Sequence, residues 1–71
     1  MKILILVWLI IYPSGNKEYN NMIIDYPEEA SYKIYHRYKR NMNNTEYRLY
    51  EVSLPDKTIK EIAIPKVTFT N

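Results

Sequence analysis

Ile3–Tyr12, read Ile-Leu-Ile-Leu-Val-Trp-Leu-Ile-Ile-Tyr, is an unbroken apolar run bounded by Lys2 and Pro13. It does not alternate, so a strand built from it carries apolar side chains on both faces, the mark of a strand covered on both sides. The run is half the roughly 20 residues that a membrane-crossing helix needs. Lys2 and the run also have the outline of an export signal, but Pro13-Ser14-Gly15-Asn16 offers no small-x-small cleavage pattern. Ile, Val, Trp and Tyr favour pleated backbone, so a first strand is predicted over Lys2–Tyr12.

The rest of the chain is less apolar and more periodic. Pro13-Ser14-Gly15-Asn16 has turn chemistry, with Pro for an early turn position and Gly for positive φ. Lys17–Asp25 then reads as a second strand, closing a β-hairpin. Asn20 and Asn21 in mid-run place it nearer a sheet edge. Asp25-Tyr26-Pro27-Glu28-Glu29 starts a helix: Pro suits the first turn, Asp25 and Glu28 have capping-box spacing, and the acids sit at the positive end of the dipole. With Arg37, Lys39 and Arg40 near its other end, the helix is predicted over Pro27–Asn41. At helical spacing, Ala30, Ser31, Ile34, Tyr35, Tyr38 and Met42 share one arc, the expected core face. Asn-rich residues 41–45 end the helix; Asn43-Asn44-Thr45 matches a glycosylation sequon, a chance match in a chain this rich in Asn. Strands follow over Glu46–Leu54 and Thr58–Ile64, joined by the turn Leu54-Pro55-Asp56-Lys57. Pro65 ends the last strand or places it at an edge, and Lys66–Thr70 continues it after a bend or pairs with another molecule.

The order β-β-α-β-β defines a single α+β domain spanning 1–71: a mostly antiparallel sheet with one amphipathic helix packed on one face, over the first strand. At 71 residues and without cysteine, one core sits at the limit of independent stability. One short helix covers one face of a small sheet. A homo-oligomer, most simply a two-fold dimer, or a tight complex with a target is therefore expected, with Leu4, Leu6, Trp8 and Ile10 of the first strand as the candidate self-association residues.

Composition narrows the chemistry. Ten basic and eight acidic residues give a net charge of +2, too balanced to imply nucleic acid by itself. Ile, Lys, Asn and Tyr make up 32 of the 71 residues, a bias toward A/T-rich codons. The 8 Tyr against 1 Phe fit either that bias or a contact surface, where Tyr is enriched. His36 is the only histidine, so a structural zinc site lacks ligands. Its helix neighbours Tyr32, Lys33 and Arg40 offer no orienting partner for a general base, and a solvated histidine is expected. Glu28 and Glu29 are explained by the helix dipole. Gly15 is the only glycine, so there is no phosphate loop and no nucleophile elbow. The sequence predicts no enzyme, no metal and no cofactor. The candidate partner-binding residues are Tyr32, Lys33, His36, Arg37 and Arg40, a basic aromatic helix face. Tyr beside Arg and Lys anchors protein interfaces and equally stacks bases and holds phosphates; low net charge favours protein.

In size, layout and composition the chain resembles the small accessory proteins encoded by bacteriophages and mobile elements of AT-rich bacteria. The shared features are an opening Met-Lys-Ile-Leu-Ile-Leu-Val strand, a hairpin, one Glu-Glu-Ala-led helix and two closing strands. The resemblance implies a non-enzymatic, cytoplasmic, homo-oligomeric inhibitor that binds a host protein, such as an immune effector, without a membrane. The alternatives are a nucleic-acid-binding module using the basic Tyr/Arg helix face, or sequestration of a signalling nucleotide. The chain lacks the glycines and dense basic pocket expected for phosphate capture.

Overall fold

The computed structural model describes residues 1–40 and 44–67, with side chains for all of these except residues 37–40. The elements are β1 (Lys2–Ile11), β2 (Lys17–Ile24), α1 (Pro27–Arg40), β3 (Asn44–Ser53) and β4 (Thr58–Ile62). They form the α+β architecture expected from the sequence, with one four-stranded sheet in the order β2-β1-β3-β4. All neighbouring strands are antiparallel. The long apolar run is a central strand, and the Asn-containing β2 is an edge. β4 stops before Pro65 and forms the other edge. Of the C-terminal segment Lys66–Thr70, residues 68–70 lie outside the described residues, as do Asn43 of the sequon and Met42 of the expected core arc.

Both hairpin turns show their chemistry. Tyr12 N–H donates to the Asn16 carbonyl (2.9 Å) and Gly15 N–H to the Tyr12 carbonyl (2.9 Å). Gly15 holds φ 92° there. At the second turn Lys57 N–H donates to the Ser53 carbonyl (2.8 Å). The start of the chain is tied to that turn: Leu54 N–H donates to the Met1 carbonyl (2.7 Å), and the Met1 ammonium donates to the Leu54 carbonyl (3.0 Å). At the helix start it is Glu29, not Glu28, that reaches back: its Oε1 accepts from Asp25 N–H at 2.8 Å. Pro27 opens the helix, which puts Glu29 at the third helical position, where a carboxylate can reach the preceding backbone.

Topology decides which face is covered. β2 and β3 flank β1 and are each antiparallel to it, so they run parallel to one another. α1 is the crossover between them, and a crossover of this kind packs back across the sheet. Ala30 of α1 lies in one buried cluster with Leu6, Trp8, Ile10, Ile24 and Leu49, and Ile34 packs against it. The remaining connections are hairpins, which stay in the sheet. One crossover covers one face only. The molecule is correspondingly thin, 40 × 33 × 15 Å.

The self-association expectation for Leu4, Leu6, Trp8 and Ile10 is corrected here. Strand side chains alternate between faces, and this set points at α1. Leu6, Trp8 and Ile10 are buried inside the chain, and Leu4 packs against the same cluster. They form the intramolecular core, and the surface left over is the other face.

Candidate functional site

The uncovered face is built from the alternate residues of each strand. Register sets them in rows across the sheet: Ile23, Ile5, Tyr50 and Glu61; then Asn21, Val7 and Arg48; then Tyr19, Leu9 and Glu46. Ile3, Val52 and Ile59 form the row beyond Ile5. The β1 members are half-buried by their neighbours, whereas Tyr19 (72%), Ile23 (69%) and Ile59 (69%) are largely exposed. No described element packs over them.

This face is contoured. A hollow of about 280 Å³ is lined by Ile5, Val7, Tyr50, Val52 and Ile59. Beside it, a hollow of about 330 Å³ includes Leu9, Tyr19, Glu46 and Arg48. On the β2 flank Tyr19 and Ile23 stand out. Charge lies on the β3–β4 flank, where Arg48 Nη1 meets Glu61 Oε1 at 3.2 Å. Both side chains are more than half exposed, so the pair contributes at most about 1 kcal/mol. Its significance is positional: it puts a paired, planar guanidinium beside Val7 and Tyr50.

The residues expected to bind a partner lie on the opposite side of the molecule. Tyr32 and His36 are exposed on α1 and Lys33 is half-buried. His36 packs edge-on against Tyr35, with ring centroids 5.9 Å apart at 68°. Arg37 and Arg40 belong to α1, and their side chains lie outside the described residues. A third feature sits on this side, a groove of about 370 Å³ between α1 and residues 64–67, with Ser31, Ile34 and Tyr35 on its helix wall. Ser31 Oγ donates to the Pro65 carbonyl and joins the two walls of the groove.

Among the described residues no group of three or more His, Cys, Asp or Glu could hold a metal ion, and no helix is long and apolar enough to cross a membrane. Ile3, Ile5, Val7 and Leu9 along the middle of the uncovered face, and Ile59 at its β4 edge, were not among the sequence candidates. The signal was there: a run that does not alternate supplies both faces at once. No protein-family model matches the chain, and neither a curated protein nor a solved structure is similar to it.

Proposed function

We propose that this chain is a non-enzymatic binding protein that works through protein–protein contacts, with the uncovered sheet face as its interface. One observation carries the reading: a face with Ile5, Val7, Leu9 and Val52 at its centre and Ile59 at its β4 edge has no described element packed on it. Water contact with such a surface is unfavourable by about 25 cal/mol for each Å² left uncovered. Tyr19, Tyr50 and Arg48 on the same face are residue types that interfaces concentrate. The narrower reading is a phage- or mobile-element-encoded inhibitor of a host factor, acting in the host cytoplasm; it is supported by the resemblance in size, layout and composition.

The test compares tagged wild type, Val7→Lys and Lys33→Glu, expressed in a bacterial host and recovered after nuclease treatment. Quantitative mass spectrometry of co-purified protein is the readout, with untagged chain co-expressed so that self-capture is counted. Recovery with wild type and Lys33→Glu and loss with Val7→Lys is the expected result. Equal recovery with Val7→Lys overturns the sheet-face interface. Loss of recovery on nuclease treatment overturns protein binding in favour of nucleic acid.

A further inference from the structure

We infer that the occupant of the uncovered face is a second copy of this chain, packed sheet to sheet about a two-fold axis that runs along the strands. The inference rests on the reading of this face as a protein interface and names its partner.

Size is the first argument. Four strands about 4.8 Å apart, each contributing about eight residues at about 3.3 Å, present a face of about 500 Å². Two such faces bury about 1,000 Å² in total, the level a specific interface must reach.

Shape is the second. The hollow of Ile5, Val7, Tyr50, Val52 and Ile59 lies on the β1–β3–β4 side of the face. Tyr19 and Ile23 stand out on the β2 side, and Ile59, as exposed as Ile23, stands at the β4 rim of the hollow. An axis between the sheets and parallel to β1 sets β2 of each copy opposite the β3–β4 side of the other. Position along the strands is kept, so Ile23 of each copy meets the other's hollow at its rim beside Tyr50 and Ile59, twice, as a two-fold contact requires. An axis across the strands would instead set each strand against its own copy, so Ile23 and Tyr19 would face β2 of the other molecule and not the hollow. The product is a two-layer sandwich with sheets about 10 Å apart and a helix on each outer surface. Tyr32 and His36 of both copies then face outward.

The chain has no cysteine, so introduced thiols report cleanly. β2 and β4 are separated by β1 and β3, and Ile59 lies one row beyond Ile23, which puts the two about 16 Å apart in one copy. A bismaleimide shorter than that, applied to full-length Ile23→Cys/Ile59→Cys at tens of micromolar, is expected to yield a covalent dimer of twice 8.6 kDa. Each single-cysteine variant is expected to link poorly. Sedimentation of the unmodified chain should show a dimer, weakened about tenfold or more by Val7→Lys because an unpaired ammonium would be buried. A monomer in sedimentation, single variants that link as well as the double, or a dimer indifferent to Val7→Lys each overturn the arrangement. The two readings fail separately. A monomer whose capture of a foreign protein is lost with Val7→Lys removes the second copy and keeps the interface. A monomer indifferent to Val7→Lys in both assays removes both.

Discussion

Gly15 (φ 92°) and Lys57 (φ 58°) both hold positive φ, one at each hairpin turn. Glycine takes that conformation without strain; a lysine does so at a cost of about 1–2 kcal/mol. Opposite outcomes are expected from opposite substitutions. Lys57→Gly should stabilise the chain by up to about 1 kcal/mol, part of the relieved strain being offset by a more mobile unfolded chain. Gly15→Ala should destabilise by about 1 kcal/mol through backbone strain alone, because a Cβ there meets nothing within 4 Å. Urea unfolding of the two variants checks both signs. Both turns were legible, but the positive φ only at the first: Pro-Ser-Gly-Asn announces it, whereas a lysine announces nothing. At the core, Leu6 and Leu49 are fully buried and face each other across β1 and β3. Leu6→Ala should cost about 2–5 kcal/mol. Total stability for a domain of this length is of order 5 kcal/mol, so chemical denaturation should find that variant with about 0–3 kcal/mol left and its midpoint moved far below that of the wild type.

At the scale of elements, the crossover α1 is held by its buried stripe and by one polar contact to the segment after β4. Ser31 is 7% exposed, and its hydroxyl is donated to the Pro65 carbonyl. Ser31→Ala removes the donor and should cost about 1 kcal/mol. The loss should be local: trypsin is expected to cleave after Lys66 faster in Ser31→Ala while unfolding of the sheet shifts little. Equal cleavage rates would mean that the groove wall is held by Ile34 and Ile64 packing instead. The order of the elements was readable, and their bounds to within two residues (β3 starts at Asn44, inside the expected turn, and β4 ends at Ile62), because each carries its own punctuation, Pro13–Asn16, Pro27 and Pro55 among them. The face that the helix covers was not. β1 is apolar at odd and even positions alike, so its sequence gives no preference. β3 adds to this by changing phase, with Tyr47 and Leu49 on the helix side and then Tyr50 and Val52 on the open side. What resolves the choice is the path of the crossover, a property of three strands and a helix together.

At the scale of the whole molecule, a single core of this size supplies roughly 3–5 kcal/mol, and half of the apolar surface of β1 remains outside it. A face-to-face dimer turns β1 into a strand covered on both sides, which is the environment its sequence implies. This gives stability a concentration dependence. If folding and pairing are linked, mass action raises the melting temperature as the chain becomes more concentrated. Differential scanning calorimetry across a hundredfold range of chain concentration should therefore show the wild-type transition moving upward. Val7→Lys should melt at one temperature throughout, close to that of the most dilute wild type, because its side chain lies on the open face and leaves the helix-covered core intact. Lys33→Glu, on the outer helix, should follow the wild type. A wild-type transition that does not move with concentration would mean that the helix-covered core alone sets the stability of the fold. The apolar run would then owe its second face to a partner met only in function.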